Sequence, residues 1–533
     1  MTPSVASALK ERTESAQETQ EETTVMTARR PGRRAVMVSA VLTQLMIVLD
    51  LTIIAIALPR MQDDLGMTVS QSPWTVTGYS LAFGGLVLFG GRLCAVVGIR
   101  RSYQVGLIGF GVASLAAGMA TSFPILLVAR VAQGCFGALL APTSQSLLNV
   151  TFTERTERER VFAIFGATGG LGAAVGLLVG GALTDWLSWR WALYINILLA
   201  AAALLIGQRS LPPADQRDRG SRITDDLTGL VLGCGACFSA VYGLDRAQQT
   251  SWTSTSTVSW LALGGIAAVL FVVRERFANH PVLPLSMMAL PVRAASYATQ
   301  FIAGAGQMGA IIYLTYYMQN HFGYSPFKSG VVFLPMVLAL IATAIPAGRV
   351  IVPRLGARGT LPLGLAVLTG SFLIFSRMTT QSSYSQVALP GLIVFGIGLG
   401  LTMPVTFNSG TRGVDAKRTG LASAILSAAQ QIGGSFGVAL MTSYATQHAE
   451  DYVAEHSEEV RAAAMEAMMR AQALPQSPAG KQIIEALKAQ LVDRAQIEAY
   501  AGGFTMMAWI LAGAGAALVA CGIALSVRRR RTR

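Results

Sequence analysis

The most prominent pattern in this 533-residue chain is a series of apolar runs separated by short polar segments. Runs of about 18 residues or more with few charges recur from residue 35 to residue 527, and each can cross the roughly 30 Å hydrocarbon core of a bilayer as a helix. We therefore predict an all-α polytopic membrane protein. The fourteen predicted spans are approximately 35–59, 73–97, 102–121, 124–149, 161–184, 191–207, 226–245, 257–274, 294–318, 327–347, 360–376, 387–408, 419–444 and 503–526.

Positive charges are distributed unevenly between the two sides of these spans. Of the 41 Lys and Arg residues, 29 fall on the side of the N-terminus, ten on the opposite side, and two, Arg92 and Arg130, within or at the edge of spans. Because cytoplasmic loops carry the excess of Lys and Arg, we predict that both termini are cytoplasmic. The same bias explains the net charge of +13, and no aromatic-studded basic groove indicates nucleic-acid binding.

Hydrophilic segments flank and interrupt the spans. Residues 1–34 lack the apolar core of a signal peptide and predict a disordered cytoplasmic tail. Residues 208–222 predict a cytoplasmic linker, and residues 527–533 a basic cytoplasmic tail. Residues 446–502 fall on the outer side and form the longest polar segment between spans.

The outer segment contains an amphipathic stretch, KQIIEALKAQLVDRAQIEAYA. It places Ile484, Leu487 and Leu491 on one helical face, with charges elsewhere. We predict a helix that rests on the membrane surface or on the outer mouth of the protein. A cap that captures a ligand is the alternative.

An aspartate stands within the first apolar run, QLMIVLDLTIIAIALPRM (residues 44–61). Burying a carboxylate at the centre of a membrane helix costs about 2.5–3.5 kcal/mol on insertion scales, so something must offset that cost. Asp50 can stay protonated, or it can face a wet cavity or a cationic partner, and either state suits a site that gains and loses a proton. Thr43 and Gln44, one or two turns toward the cytoplasm, would supply hydrogen bonds. The alternative is a structural acid that pairs with a neighbouring helix.

Arg130, in ILLVARVAQGCFGALLAP, is the second charge at membrane depth. An arginine cannot shed its proton, so it needs a carboxylate, backbone carbonyls or water. Gln133, Gly134 and Gly137 follow at i+3, i+4 and i+7 and predict a polar, closely packed face toward the bundle interior. Arg130 either takes part in function or locks helices together, and it need not touch Asp50.

Small residues form two further patterns. The segment FGATGGLGAAVGLLVGGAL contains a stripe of glycines on one helical face, against which another helix can pack closely. The stripe consists of Gly169, Gly172, Gly176 and Gly180. A dinucleotide-binding loop would need a preceding strand, and the surroundings here are membrane helices. All five cysteines lie in apolar spans, which argues against a disulfide framework and favours packing over redox or metal binding for the Cys234-x-x-Cys237 pair.

Two basic segments echo one another. GRLCAVVGIR (91–100) and GRVIVPRLGAR (348–358) both follow an apolar span with Gly-Arg, an apolar stretch and Gly-x-Arg. Such paired halves are typical of repeat-built transporters, although two basic loops can also match by chance.

No phosphate loop, HExxH, GxSxG or kinase motif occurs. We therefore predict no enzymatic activity, no cofactor and no metal, with an ion gradient or the substrate itself as the energy source.

The motifs taken together resemble the major facilitator superfamily, and within it the fourteen-helix drug:proton antiporters. The resemblance covers nearly the whole chain, and its segments, in order, are LDLTIIAIALP, WTVTGYSLAFG, GGRLCAVVGIRR, ARVAQGCFGA, GAAVGLLVGG, SWRWALYIN and GYSPFKSGVVFLP. It implies two six-helix bundles around a central cavity that alternates its access, with two additional helices between them. The implied division is an N-terminal bundle (35–207), the linker, two inserted helices (223–276) and a C-terminal bundle (294–526) that contains the outer segment.

The resemblance also implies roles for particular residues. Asp50 would be a protonation or substrate-linked site, and Arg130 would take part in proton coupling. An inner gating loop would be formed by Gly91, Arg92, Gly98, Arg100 and Arg101. Two positions depart from the family pattern: Ala95 replaces an aspartate whose charge interaction latches the outward-open state, and Leu177 replaces a proline, which would straighten that helix.

The expected function is export of an amphipathic organic compound, such as an antibiotic, in exchange for protons across the bacterial inner membrane, by a monomer. Tyr313, Tyr316, Tyr317 and Gln319 cluster near the outer end of the ninth span and favour a neutral aromatic substrate, unless they only pack the core. Candidate substrate contacts are Gln44, Trp74, Tyr79, Gln133, Tyr313 and Tyr317. The alternatives are an importer or facilitator of a small metabolite, and a membrane sensor that does not transport.

Overall fold

The computed structural model describes residues 30–67, 71, 74–211, 227–278, 290–414, 419–470 and 478–531. Within this part of the chain the regular elements are helices, as expected where lipid offers backbone groups no hydrogen-bond partner. In chain order they are α1 (Arg30–Leu65), α2 (Trp74–Val97), α3 (Ile99–Gly118), α4 (Phe123–Thr151), α5 (Arg155–Trp186), α6 (Trp189–Gly207), α7 (Leu227–Gln249), α8 (Thr255–Phe277), α9 (Pro291–Tyr316), α10 (Pro326–Val332), α11 (Leu334–Pro346), α12 (Val352–Phe375), α13 (Leu389–Thr411), α14 (Thr419–Arg470) and α15 (Pro478–Arg531).

These helices make a multi-pass membrane protein. Helices α10 and α11 are separated only by Phe333 and form one crossing, so the described residues contain fourteen helical spans, in agreement with the sequence prediction. Ten described segments are apolar and long enough to cross a bilayer by composition alone, and one of them, Phe327–Phe375, contains two crossings. Of the remaining three spans, α3 and α9 carry more polar residues, and α5 contains the uncharged, glycine-rich run 161–184.

The helices pack as two halves with an inserted pair. In the N-terminal half α1 packs on α5 and α6, and α4 packs on α2 and α3. In the C-terminal half α9 packs on α14, and α13 packs on α11 and α12. Helices α7 and α8 pack on each other, and α7 also contacts α2 and α14. The three helices meet at Gly84 of α2, where a Cβ would lie 3.0 Å from Val241 of α7 and 3.4 Å from Gln431 of α14. Through its contacts with α2 and α14, α7 touches both halves.

Several predicted boundaries were wrong where a helix continues beyond its apolar run. Helix α1 begins at Arg30, inside the predicted tail 1–34, whose first 29 residues lie outside the described part of the chain. Helix α15 runs through the predicted basic tail to Arg531. Polar residues can extend a membrane helix because its hydrogen bonds do not depend on lipid. Most of the predicted linker 208–222 lies outside the described residues.

The helix predicted in segment 446–502 is present, but it is continuous with the last span. Helix α14 has 52 residues and α15 has 54, so at about 1.5 Å per residue each is about 80 Å long, far more than a bilayer requires. The amphipathic stretch is the first part of α15, where Ile484 and Leu487 are half-buried and Leu491 is buried. At the base of the hairpin formed by α14 and α15, His321, five residues beyond the end of α9, lies 3.1 Å from Asp493.

An ion pair secures the outer end of the N-terminal half. Asp64, beyond the membrane-spanning part of α1, accepts hydrogen bonds from Arg190 and from the Trp189 indole at 3.0 Å. The bond from Arg190, followed by that from Trp189, lowers the pKa of Asp64. Ser188 caps α6 by accepting from the Arg190 backbone N–H. The short connection between α5 and α6 is thereby fixed to α1.

Candidate functional site

Asp50 and Arg130 form an ion pair inside the N-terminal half. Arg130 Nη1 donates to Asp50 Oδ2 over 2.6 Å, and both side chains are completely buried. Asp50 lies in the middle of α1, and Arg130 lies two turns into α4. The sequence placed both residues at membrane depth but left their contact open. The structure shows that each offsets the burial cost of the other.

Two amides complete the surroundings of the Asp50 carboxylate. Asn196 of α6 donates to Asp50 Oδ1 over 2.6 Å, and Gln133 of α4 donates to the same oxygen over 3.2 Å. Gln133 also donates to Ser114 Oγ of α3 over 2.7 Å. The carboxylate therefore accepts hydrogen bonds from two neighbouring helices, α4 and α6, and Gln133 connects it to a third, α3.

Arg130 has partners beyond the carboxylate. Its Nε donates to the Thr75 carbonyl oxygen over 3.1 Å, and Nη1 also donates to Gln133 Oε1 over 2.9 Å. The guanidinium carbon lies 4.6 Å from the centre of the Tyr79 ring, a cation–π distance. The planar, forked donor set of arginine suits this arrangement, and a lysine could not reproduce it.

Some buried polar atoms around the pair have no hydrogen-bond partner among the described residues. They are Arg130 Nη2, Tyr79 Oη, Thr75 Oγ1 and Asn196 Oδ1. Buried polar groups are usually satisfied, so these atoms give the site donors and acceptors that the ion pair does not use.

The predicted hydrogen bonds from Thr43 and Gln44 to Asp50 are not present. Thr43 Oγ1 donates to the Ser39 carbonyl oxygen over 3.0 Å and lies 2.6 Å from the Tyr103 hydroxyl. Gln44 is half-buried, and no hydrogen bond joins it to Asp50 among the described residues. The position of residues along α1 gave the wrong partners, because the groups that donate hydrogen bonds to Asp50 come from other helices.

The glycine stripe of α5 lies against α1, close to Asp50. A Cβ at Gly172 would lie 3.0 Å from Val48, one at Gly176 would overlap Thr52 Oγ1, and one at Gly180 would lie 3.0 Å from Ile53. Gly169 lies in α5, but its surroundings are not described. Gly172, Gly176 and Gly180 thus pack α5 closely against α1, and α5 runs unbroken through Leu177.

We expect Gly176→Ala to destabilise the protein by about 1–3 kcal/mol, as overpacking of a close contact does. The new methyl group must displace Thr52, whose hydroxyl donates to the Leu49 carbonyl oxygen over 3.0 Å. Thermal unfolding in one detergent measures the change. Thr52→Ala in the same chain should restore most of the loss, and Gly370→Ala, with open space around it, should have little effect. Equal melting of Gly176→Ala and wild type would contradict the contact.

The predicted inner gating loop joins α2 to α3. Gly91 and Arg92 lie in the last two turns of α2. Gly98 turns the chain with a φ of 96°, a left-handed value that favours glycine. Arg100 donates to the Gln208 carbonyl oxygen over 3.3 Å, and Arg101 is exposed. Ala95 is half-buried on α2 and cannot form the charge interaction that an aspartate would supply.

Other contacts join the two halves at the end where α4 ends and α5 begins, which we call the basic end. Arg158 Nε donates to Asn408 Oδ1 over 3.0 Å. Gln145 Nε2 donates to Ser427 Oγ over 3.2 Å, and Thr411 Oγ1 donates to Asn149 Oδ1 over 3.3 Å. These bonds connect α4 and α5 to α13 and α14 without the missing aspartate.

An aromatic cluster fills the same interface between the two halves. We call this interface the seam and the cluster the seam plug. The seam plug consists of Phe162 and Phe165 from α5 and Phe407 from α13, which are at most 3% exposed. Phe407 lies 6.5 Å from Phe162 and 6.0 Å from Phe165 between ring centres, distances at which aromatic pairs attract. Phe407 therefore links the halves directly.

We expect Phe407→Ala to open the basic end. Phe→Ala in a packed core destabilises the packed state by about 3–5 kcal/mol. A state in which the two halves are separated at this end does not contain the contact, so its stability is not reduced. Spin labels at Thr153 and Arg412, exposed on either side of the seam, should report a shift toward longer distances. Phe375→Ala, which removes an equally buried ring from the core of the C-terminal half, should leave the distance distribution unchanged. A matching shift in both variants would remove the role of the plug.

The remaining predicted substrate contacts lie away from the seam. Tyr313 and Tyr317 belong to the hydrophobic core of the C-terminal half, where Tyr317 Oη donates to the Thr379 carbonyl oxygen over 3.2 Å. Trp74 is half-buried, 6.3 Å from Tyr242 of α7 between ring centres. The two tyrosines therefore pack the core, the alternative that the sequence left open, and their assignment as substrate contacts is not supported.

Sequence reasoning missed Asn196, Ser114 and the residues of the seam. Asn196 is the one amide in the apolar run WALYINILLAAAALL, and an amide at membrane depth is a signal that could have found it. Ser114 carried no such signal, because small hydroxyl residues are frequent in membrane helices. Phe407 is indistinguishable in sequence from a core phenylalanine.

Comparisons with known proteins agree with this architecture. A family model described as Major Facilitator Superfamily matches residues 40–438. The puromycin resistance protein pur8 of Streptomyces alboniger is 40% identical over 78% of this chain and 82% of its own length. The cephamycin export protein CmcT of Amycolatopsis lactamdurans is 33% identical over 76% of this chain and 83% of its own. The crystal structure of the human organic anion transporter MFSD10 aligns with a TM-score of 0.56 at 14% identity, over 91% of this chain and 99% of that one, which supports the fold.

Proposed function

The chain belongs to the major facilitator superfamily, and from this premise we propose that it exports a small amphipathic organic compound, an antibiotic or a related toxic compound, in exchange for protons. The relatives described as resistance and export proteins support this direction of transport. Puromycin is the first compound to test, because the relative at 40% identity is a puromycin resistance protein. The protein acts as a carrier and not as an enzyme, and the proton gradient replaces a cofactor.

The buried pair of Asp50 and Arg130 is the observation on which proton coupling rests. Protonation of Asp50 removes the charge that balances Arg130, so the guanidinium must find other partners or move. Breaking a buried ion pair costs about 3–5 kcal/mol, and one charge crossing 100 mV supplies about 2.3 kcal/mol before any pH gradient is added. The two energies are comparable, so proton entry can drive a change of conformation.

The change of conformation would move the two halves relative to each other. With the basic end facing the cytoplasm of a bacterial inner membrane, as the arginine distribution favours, the seam plug closes the cytoplasmic side in the state described here. Opening the seam would admit substrate from the cytoplasm, and closing it would commit substrate to release outside. Both termini would be cytoplasmic, and a monomer suffices because each half supplies one wall of the path.

Accumulation of puromycin in cells tests this proposal. Cells that express the protein should accumulate less puromycin than cells without it, and a protonophore should abolish the difference. An importer or facilitator, which the same fold allows, would raise accumulation. A non-transporting sensor would leave accumulation unchanged for puromycin and for a panel of other amphipathic antibiotics, and either of these results would overturn the proposal.

A further inference from the structure

We propose that a groove at the basic end of the C-terminal half binds an anionic phospholipid, with part of one acyl chain in the groove and the phosphate on Arg358. The groove has a volume of about 270 Å³ and lies between α9, α12 and α15. Its walls include Ala294, Ala298, Leu361, Leu518 and Cys521, with Arg358 as the charged lining residue. An apolar cleft with one cation matches a ligand that has a hydrocarbon chain and one anionic end.

The groove faces the lipid. Ala294 and Ala298 of α9 and Cys521 of α15 are exposed, although all three stand on helices that cross the membrane. Val519, beside the groove on α15, is 46% exposed. The hydrocarbon that covers these surfaces in a bilayer is therefore a lipid chain, and the proposed orientation of the protein places that chain in the cytoplasmic leaflet.

Arg358 has no counter-ion among the described residues. Its side chain is exposed, and no hydrogen bond or ion pair joins it to another residue in the described ranges. The sequence contains no Asp or Glu between Glu275 and Asp415, yet five arginines, at positions 293, 349, 354, 358 and 412, fall on the basic end of this stretch. Basic pockets between helices on the cytoplasmic side bind anionic headgroups.

The repeated loop of the N-terminal half provides an internal comparison. Gly98 and Gly356 occupy the same place in the two loops, and both adopt positive φ values, 96° and 65°, which supports the internal repeat seen in the sequence. Two residues further on, Arg100 donates to the Gln208 carbonyl oxygen, whereas Arg358 borders the groove. The same motif position is thus satisfied by the protein in one half and is open to a ligand in the other.

Native mass spectrometry of the purified full-length protein tests the site. We expect the wild type to retain phosphatidylglycerol in preference to phosphatidylcholine with the same chains. Arg358→Ala should weaken that binding roughly tenfold or more, as expected for loss of a hydrogen bond to a charged group, and Arg358→Lys should restore part of it. Arg377→Ala, an exposed arginine at the outer end of α12, is the matched control and should bind as the wild type does.

Two further comparisons separate the lipid from its parts. Ala298→Phe should fill the groove and prevent binding although Arg358 remains, while Ala268→Phe on the lipid-facing side of α8 should not. Glycerophosphoglycerol, the headgroup without chains, should not compete. Competition by the headgroup alone, unchanged binding by Arg358→Ala, or equal retention of the two lipids would overturn the proposal. Because the readout is lipid retention, its failure would leave the proposed export function untouched.

Discussion

Asp50→Asn is expected to abolish gradient-driven export and to leave the protein folded in the membrane. The asparagine keeps the shape of the side chain, which now has Arg130 and Asn196 each 2.6 Å from a different carboxylate oxygen. Its amide oxygen can accept from Arg130, and its NH2 group can donate to Asn196 Oδ1 once the Asn196 amide flips. It cannot bind and release a proton at physiological pH. Proton movement then no longer changes the charge balance around Arg130, so the gradient has no means of driving the conformational cycle.

Proteoliposomes with an imposed pH gradient measure this effect. Active substrate transport should fall to the level of empty vesicles, while exchange of labelled for unlabelled substrate at equal concentrations should persist, because exchange needs no net proton movement. Asp63→Asn is the matched control, since it makes the same chemical change at an exposed position of the same helix. Full gradient-driven transport by Asp50→Asn would remove the role assigned to that acid.

The complete burial of Asp50 constrains how the proton arrives. The side chain has no exposed surface in the state described here. The proposed proton exchange therefore requires another state, in which α1, α4 and α6 separate enough to admit water. The polar side chains that donate hydrogen bonds to the carboxylate, Arg130, Gln133 and Asn196, can also hydrogen-bond the entering water. An acid enclosed by hydrocarbon on all sides would offer no such path.

Much of the fold could be predicted from sequence, because apolar length is read directly from residue order. The number of spans and the basic end follow from runs of about 18 apolar residues and from 29 of 41 positive charges on one side. The ends of α1, α14 and α15 could not be predicted in this way. Hydropathy detects where the bilayer ends, whereas a helix ends only where its hydrogen bonding stops.

The site was predicted less completely, for a geometrical reason. Sequence gives the depth of Asp50 and Arg130 along their helices, and the Gln133 spacing gives one face of α4. It does not give the rotation of α1 about its own axis, on which the contact with Arg130 and Asn196 depends. The loss of the family aspartate at Ala95 was visible in sequence, but the bonds that connect the halves, such as Arg158 to Asn408 at 3.0 Å, depend on residues distant in the chain.

Arg130→Met is expected to cause the largest loss of stability, about 3–5 kcal/mol, because it leaves the Asp50 carboxylate buried without its cation. Asp50→Asn in the same chain should restore most of the loss, since replacing both members removes the unpaired charge. Arg130→Lys should lie between wild type and Arg130→Met, because it retains the charge but cannot reproduce the bond from Nε to the Thr75 carbonyl oxygen.

Thermal unfolding of the wild type, Arg130→Met, Asp50→Asn and the double variant in one detergent forms a double-mutant cycle. The interaction energy is the sum of the two single-variant losses minus the loss of the double variant. A large positive interaction shows that the cost lies in the uncompensated carboxylate, which is the property that proton coupling requires. If Arg130→Met and the double variant unfold at the same temperature, Arg130 stabilises the bundle by packing against Tyr79, 4.6 Å from its guanidinium carbon. The pair would then be a structural lock, and protonation of Asp50 would not release the energy that the transport cycle needs.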